Sequence, residues 1–275
     1  MEFFKNKIIT IATKHKKEWV IGPLLNHFLK ADYIIPENFD TDVFGTFSGE
    51  IERKGTPLEN ARLKCEQAME LTGTQIAIAS EGSFGMHPAL PFINSNEEWV
   101  LLVDSVNKIE VFARELSAST NYNYQEIQTL DDLEKFAINS GFPEHGLILK
   151  TEQECIKGIV DFKVLNRIFK ELMSKSERVE VMTDMRANFN PTRREVIKKA
   201  TYKLMERLKS LCPVCQTPGF RITDFEEGLP CSQCGCPTAG IKTYIYSCSK
   251  CDYTSRKTNL HKKLEDPVYC QLCNP

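Results

Sequence analysis

The sequence of 275 residues lacks the features that mark several specialised classes of protein. It has no apolar run approaching the roughly 20 residues of a membrane-spanning helix. The stretch from Met1 to Lys7 lacks the pattern of a secretory signal peptide. The formal net charge of −2 gives no basic excess that would attract nucleic acid or anionic lipid. We therefore expect a globular protein of the cytoplasm that does not act at a membrane.

Cysteine is scarce in most of the chain, since only Cys65 and Cys155 precede residue 212. The other nine cysteines lie in the last 64 residues, and eight of them form Cys-x-x-Cys pairs: Cys212/Cys215, Cys231/Cys234, Cys248/Cys251 and Cys270/Cys273. Disulfides are disfavoured in a reducing cytosol, so clustered cysteines of this kind predict metal ligands. The tail also has few large aliphatic residues, and we expect it to fold around two structural zinc ions as a double zinc ribbon.

The spacing of the four pairs bears on which of them share a metal ion. Fifteen residues separate the first two pairs and eighteen the last two, and both gaps are typical of zinc ribbons. We expect sequential pairing, first with second and third with fourth, although the spacing also allows an interleaved arrangement. Cys236 is interpreted as a bystander thiol, with an alternative role as a ligand, and His261 as a surface residue.

The charge pattern of the cysteine-rich tail indicates what kind of partner it could bind. Its lysines and arginines are nearly balanced by aspartates and glutamates, whereas nucleic-acid-binding modules usually show a clear basic excess. A structural role or a protein contact is therefore favoured over nucleic-acid binding. A homodimer contact is a further alternative.

The rest of the chain alternates between predicted strands and helices, with one hairpin, which indicates an α/β domain with a mixed sheet. We place this domain at residues 1–210 and the zinc-ribbon domain at 211–275. Strands are predicted at 7–13, 75–79, 98–104, 108–115, 147–150, 179–183 and 241–246. Helices are predicted at 16–29, from Thr56-Pro57 with Glu59 completing a capping box, and at 130–139, 158–173 and 192–211.

Two basic segments lie at predicted helix starts, where backbone N–H groups and the helix dipole favour phosphate. The first is Thr13 with Lys14, Lys16 and Lys17. The second contains Arg186 and Arg193, whose guanidinium groups suit phosphate or a base edge. The alternative for both segments is a solvated basic surface.

Carboxylates provide a candidate Mg²⁺ site. Glu50, Glu52 and Glu59 surround the start of the second helix, and Glu81 follows the strand at 75–79. Mg²⁺ is commonly held by one or two carboxylates, and ligands bind at strand ends in α/β sheets. Glu59 is explained as a helix cap, whereas Glu81 has no structural role that the sequence reveals.

Taken in order, several motifs resemble the inosine triphosphate pyrophosphatase superfamily, whose members hydrolyse non-standard purine triphosphates. The segment from Gly55 to Cys65, Gly-Thr-Pro-Leu-Glu-Asn-Ala-Arg-Leu-Lys-Cys, is similar to that family's Gly-x-Thr-Phe-x-Glu-Asn-Ala-x-x-Lys-Ala helix. Weaker similarities are Ala12-Thr13, Ala79-Ser-Glu-Gly-Ser83, Gly141-Phe-Pro-Glu-His-Gly146 and Pro191-Thr-Arg193. The added zinc ribbon resembles a group of bacterial proteins without an assigned activity.

The sequence departs from the family pattern at several positions. His15 stands where the family has Asn, Glu18 where it has Lys, and Ser80-Glu81 replaces an aspartate pair. Glu144-His145-Gly146 replaces a Tyr-Asp-Pro element, and Thr192 replaces a base-reading His.

The resemblance implies a Mg²⁺-dependent nucleoside-triphosphate pyrophosphatase. Glu81 and Glu52 would be catalytic, and the substrate-binding residues would be Thr13, Lys14, Lys16, Lys17, Asn60, Lys64, Arg186 and Arg193. The partner would be a nucleotide or another small molecule bearing phosphate. The alternative function is a non-enzymatic nucleotide- or nucleic-acid-binding module whose zinc ribbon contacts a partner.

Overall fold

The computed structural model describes residues 2–40 and 55–275, and within them the chain forms a mixed α/β structure with three sheets. By contact density it divides into two compact units. Unit 1 contains residues 1–104 and 112–205, and unit 2 contains residues 105–111 and 206–275. The predicted α/β class with a mixed sheet is confirmed. No helix in the described ranges combines the length and apolarity needed to cross a membrane.

The first sheet, most of which belongs to unit 1, contains both parallel and antiparallel strands. Its described strands are β1 (Ile8–Ala12), β2 (Asp32–Ile34), β3 (Ile76–His87), β4 (Leu90–Asp104) and β5 (Ile109–Ser117). They run in the order β2-β1-β3-β4-β5, with β1 parallel to β2 and β3, and β4 antiparallel to β3. The predicted hairpin of β4 and β5 is confirmed, although β4 begins eight residues earlier than expected.

Helix α2 (Pro57–Thr72) packs on one face of this sheet. The predicted capping box is confirmed: the Thr56 hydroxyl accepts from Glu59 N, and the Glu59 carboxylate accepts from Thr56 N. Small side chains on both sides, including Ala61 and Cys65 of α2 and Ala79 of β3, bury against each other. Their small size lets the helix approach the strands closely. This brings Lys64 of α2 within contact distance of Glu81 of β3.

The other sheet of unit 1 is antiparallel, in the order β6-β9-β7-β8. Its strands are β6 (Tyr124–Ile127), β7 (Leu147–Lys150), β8 (Cys155–Ile159) and β9 (Val179–Thr183). Helices α3 (Leu130–Asn139) and α4 (Phe162–Met173) contribute Leu133, Phe136, Leu165 and Phe169 to its core.

Helix α5 (Pro191–Lys209) begins immediately after Asn190, as the sequence indicates. The Asn190 Oδ1 atom accepts from Arg193 N at 2.9 Å, which satisfies one of the free N–H groups of the first turn. The division between the two units falls within this helix.

Three further predicted elements are wrong in extent. Helix α1 covers Glu18–Leu24 and continues as a π-helical turn over Leu25–Leu29, so it begins later than predicted. The helix predicted from Gly158 begins at Phe162, because Cys155–Ile159 pair with β7. The segment after Ala79 is not a turn: β3 continues to His87 because β4 pairs with it throughout.

Unit 2 contains an antiparallel sheet with β11 (Ile241–Ser247) between β10 (Arg221–Glu227) and β12 (Thr254–Thr258). The predicted strand at 241–246 is confirmed by β11. The four Cys-x-x-Cys pairs lie before, between and after these strands.

Candidate functional site

The turn after β1 places one lysine in the interior of unit 1. The Thr13 hydroxyl accepts from the backbone N–H groups of His15 and Lys17, at 3.2 and 3.3 Å, and so organises the turn into α1. Lys17 is buried, and its ammonium donates to the carbonyl oxygen of Ser80 at 2.7 Å. This bond joins the turn after β1 to the middle of β3.

The other lysines predicted for this turn point elsewhere. Lys14 is exposed and forms an ion pair with Asp40 at 2.8 Å. Lys16 is exposed, and its ammonium lies 4.8 Å from the centre of the Trp19 ring. Of the three lysines, the structure therefore places Lys17 in the interior and holds Lys14 and Lys16 at the surface.

Lys64 and Glu81 form a buried ion pair between α2 and β3. Lys64 lies one turn beyond Asn60 in the motif helix, on the side that faces the sheet. Glu81 was predicted at a strand end, but it lies inside β3, paired in register with Trp99 of β4. It lies just beyond the described pairing of β1 with β3, which ends at Ala79.

A second buried ion pair joins Glu98 of β4 to Arg193 of α5, with Arg193 Nε 2.7 Å from Glu98 Oε1. Arg193 also donates to the carbonyl oxygen of Met185, and its guanidinium lies 5.1 Å from the centre of the Phe84 ring. Glycine at position 82, opposite Glu98, leaves room for this ion pair. A Cβ there would overlap the Glu98 carboxylate and lie 2.6 Å from Arg193 Nη2.

Glu98 is not among the site residues predicted from the sequence, which indicates only that a strand starts there. The available signal was its alternation with Val100 and Leu102 along β4, which predicts that all three point to one face of the sheet. A carboxylate on the buried face of a strand needs a partner, and the sequence does not reveal that Arg193 provides it.

We call the five buried ionisable residues of these contacts the charge cluster: Lys17, Lys64, Glu81, Glu98 and Arg193. Burial, and secondarily the Arg193 charge, lower the pKa of Lys17 to about 7, while Glu81 and Glu98 act in the opposite direction. With Lys17 protonated, three cations and two carboxylates leave the cluster with one excess positive charge. A bound anion would compensate that charge and stabilise the protonated form of Lys17.

Polar atoms beside the charge cluster have unused bonding capacity. Within the described part of the chain, Ser80 Oγ, Glu98 Oε2 and both polar atoms of the Asn96 side chain are buried without a hydrogen-bond partner. Buried polar atoms normally have a hydrogen-bond partner, and where no protein group supplies one, a bound water molecule or ion commonly does. The site therefore has free acceptors and donors for a ligand or a cation.

The remaining predicted site residues do not join the charge cluster in this way. Asn60 is buried and donates to the carbonyl oxygen of Thr56 at 3.1 Å, inside its own helix. Arg186 makes a two-pronged contact with Asp184 and lies 4.6 Å from the centre of the Phe189 ring. Glu50 and Glu52 lie outside the described residues.

Two positions that depart from the resembled family contact each other. His145 Nε2 lies 2.9 Å from the hydroxyl of Thr192, in the first turn of α5. An imidazole therefore lies beside the first turn of α5. It belongs to His145, whereas the resembled pattern has its histidine at position 192.

The eight paired cysteines of unit 2 form two groups of four, and their pairing corrects the sequential order that we expected. Among the described residues, the first and third pairs form one group, and the second and fourth form the other: Cys212, Cys215, Cys248 and Cys251; Cys231, Cys234, Cys270 and Cys273. Sequential pairing is wrong because β10 and β11 are neighbours, so the ends of the sheet bring alternate knuckles together.

The geometry of both groups suits a tetrahedral metal ion. Neighbouring sulfurs from different pairs lie 3.6 Å apart in the first group and 3.6 to 3.9 Å apart in the second. Tetrahedral ligands at the usual Zn–S distance of about 2.3 Å would be about 3.8 Å apart. Both groups can therefore hold a metal ion, whereas Cys236 is not a member of the second group.

Hydrogen bonds within the two groups shift the pKa values of individual cysteine thiols in opposite directions. The Thr217 side chain, bonded to Cys215 at 3.1 Å, lowers the pKa of that thiol to about 6. A hydrogen bond with Cys234 raises the pKa of Cys273 to about 12. Four adjacent thiolates repel one another, so their joint ionisation requires a cation.

A family model described as a domain of unknown function, DUF6671, matches residues 64–275. The chain belongs to this family. The match includes Lys64, Glu81, Glu98 and Arg193 together with all the paired cysteines, and it begins after Lys17. A comparison with curated proteins found no match.

Proposed function

We propose that unit 1 is a Mg²⁺-dependent nucleoside-triphosphate pyrophosphatase that acts on non-standard, deaminated nucleotides, and that unit 2 holds two structural zinc ions. The charge cluster carries the first part of this proposal. Three buried cations with two carboxylates, beside unpartnered polar atoms, form a site for an anion and a divalent cation together. The resemblance of the Gly55–Cys65 segment and Arg193 to the inosine triphosphate pyrophosphatases supports a nucleotide as the anion.

The cations would bind the phosphates. Lys17, Lys64 and Arg193 approach β3 from three different elements. Lys64 lies on the Glu81 face of the sheet and Arg193 on the Glu98 face, and Lys17 interacts with both carboxylates. In a buried site their charges are screened less than in water and stabilise the negative charge that develops as a phosphoanhydride breaks. Arg193 is held by Glu98 and Met185, which restricts its orientation before the substrate binds.

The carboxylates would hold Mg²⁺ and orient water. Glu81 and Glu98 point to opposite faces of the sheet, because they belong to the successive pairs Glu81–Trp99 and Gly82–Glu98. Mg²⁺ would therefore be held by the free Oε2 of Glu98, since this ion commonly takes one carboxylate and completes its shell with water. When bound, Mg²⁺ would supply charge neutralisation on the phosphate oxygens. Glu81 would accept a proton from a water molecule while the oxygen of that water attacks the α-phosphorus. The bond from that phosphorus to the bridging oxygen breaks, and monophosphate and pyrophosphate leave.

Zinc is proposed for unit 2 because four thiolates in a tetrahedral arrangement favour Zn²⁺ or an iron–sulfur centre among biological metals. Each group is complete with four sulfurs and thus leaves no ligand position for a substrate, which is typical of a structural site.

The activity is tested with a panel of standard and deaminated nucleoside triphosphates in Mg²⁺, measuring pyrophosphate release. We expect ITP or XTP to be turned over, and Glu81→Gln to lower kcat by at least about a hundredfold, as loss of a general base does. Glu126→Gln changes an exposed carboxylate on β6 and should leave the rate unchanged.

Two results would count against the enzyme. One is that no nucleotide in the panel releases pyrophosphate. The other is that Glu81→Gln retains the rate of the parent protein. Binding of nucleotides without turnover would instead favour the alternative function, a non-enzymatic nucleotide-binding module.

A further inference from the structure

A cavity of about 270 Å³ opens in unit 1 on the face of the β3–β4 hairpin that also carries Glu81. Its floor is formed by small residues of the two strands, and β5 supplies one wall. The lining includes Ser83, Gly85, Ser95, Glu97, Arg114 and Leu116. Its volume is slightly below the usual range for sites that enclose a whole small molecule, so it suits one part of a larger ligand.

The strand register connects this cavity to the charge cluster. Glu81 pairs with Trp99, and the next pair on the same face is Ser83 with Glu97. Arg114 of β5 extends over both pairs, because it forms an ion pair with Glu97 and its guanidinium lies 5.4 Å from the centre of the Trp99 ring. The cavity therefore begins about 7 Å along the strand from Glu81.

Its polar groups are suited to hydroxyls. The Glu97 carboxylate accepts from Ser83 Oγ at 3.3 Å and from Arg114, and a carboxylate has about four acceptor positions. Two further hydroxyl donors can therefore bond to it. Acidic side chains bind the ribose hydroxyls of nucleotides in other folds by the same chemistry. A second phosphate is disfavoured here, because it would face the Glu97 charge.

We propose that this cavity binds the ribose of the substrate through its 2′ and 3′ hydroxyls, with Glu97 as the acceptor and Ser83 and Arg114 as its positioning residues. The inference rests on the proposed nucleotide pyrophosphatase function. The ribose is joined directly to the α-phosphate, so the sugar must lie next to the group that acts on that phosphate. The cavity next to Glu81 meets this requirement, and it makes the protein selective for ribonucleotides over deoxyribonucleotides.

The test compares ITP with dITP in the full-length protein with Mg²⁺. We expect kcat/KM to favour ITP by about tenfold or more, the value of a hydrogen bond to a charged group. Glu97→Gln should lower kcat/KM for ITP more than for dITP, because ITP loses the contacts of two hydroxyls with the carboxylate and dITP loses only one, so the preference for ITP shrinks. Ser83→Ala should reduce the preference partially, and Glu126→Gln serves as the control.

The outcomes separate this inference from the proposed function. Equal use of ITP and dITP by the parent protein would refute the ribose site and leave the pyrophosphatase intact. An equal decrease in kcat/KM for ITP and dITP in Glu97→Gln would also refute it, because the role of Glu97 would then be structural. If no nucleotide is bound in calorimetry or turned over, the proposed function fails and the ribose site with it. Should Glu97→Gln not fold, the substrate pair and Ser83→Ala still decide the result.

Discussion

Lys17 shows how the same residue type takes different roles within one turn. Lys14 and Lys16 keep their charges at the surface, whereas the Lys17 ammonium is buried beside Ser80. Burial removes the water that would stabilise the charged ammonium. One hydrogen bond and two carboxylates compensate only in part, so the pKa of Lys17 falls to about 7. The sequence Thr13-Lys-His-Lys-Lys17 contains the candidates but does not distinguish the buried one.

This pKa predicts how stability depends on pH. Below about pH 7 both the folded and the unfolded protein carry the Lys17 charge, so the full cost of its burial is present. Between about pH 7 and the ordinary lysine pKa of 10.5 only the unfolded state binds the proton, so stability rises with pH. Lys17→Met removes this contribution. The free energy of unfolding of the parent protein, relative to the variant, should therefore rise between pH 7 and 9.5, by up to about 1.4 kcal/mol per pH unit.

The measurement is urea unfolding of both proteins at several pH values, with Lys16→Met as a matched control because its side chain is exposed. The control should follow the parent protein at each pH. Parallel stability curves for the parent protein and Lys17→Met would show that Lys17 is not buried as described.

At the scale of elements, β3 shows where local pattern and tertiary pairing disagree. Ser80 to Gly85 is rich in residues that favour turns, and the sequence predicts that the strand ends before them. The structure extends the strand through this segment because β4 supplies a partner for each residue from Ile76 to Met86. Strand propensity depends strongly on such neighbours, and the partner residues are too distant in sequence for a local pattern to include them.

The start of α5 combines helix capping with the orientation of Arg193. Asn190 is buried; it accepts from Arg193 N and donates to Asn121 at 2.9 Å. We expect Asn190→Ala to lower the free energy of unfolding by about 2 kcal/mol or more, since a cap and a buried bond are lost together. Thr129→Ala removes an exposed cap of α3 and should cost about 1 kcal/mol. Equal costs in urea unfolding would contradict this role of Asn190.

At the scale of the whole molecule, metal binding depends on how distant segments meet. The interleaved groups predict that Cys212→Ser/Cys248→Ser disables one site and leaves one zinc ion bound. Cys212→Ser/Cys231→Ser instead removes one ligand from each site, so neither ion should survive a challenge with EDTA. Sequential pairing would reverse the two results. Zinc per chain after gel filtration, against two ions in the parent protein, is the measurement.

The sequence by itself determined the features that depend on local spacing. Cys-x-x-Cys pairs predict thiolate metal ligands, the Thr56–Glu59 capping box predicts the start of α2, and the alternation of strands and helices predicts a mixed α/β fold. Only the tertiary structure decided which cysteine pairs share a site, that Glu98 meets Arg193, and that Lys17 is the buried lysine. The physical reason is that these contacts join residues far apart in sequence, and their energies depend on burial and charge that exist only after the chain has folded.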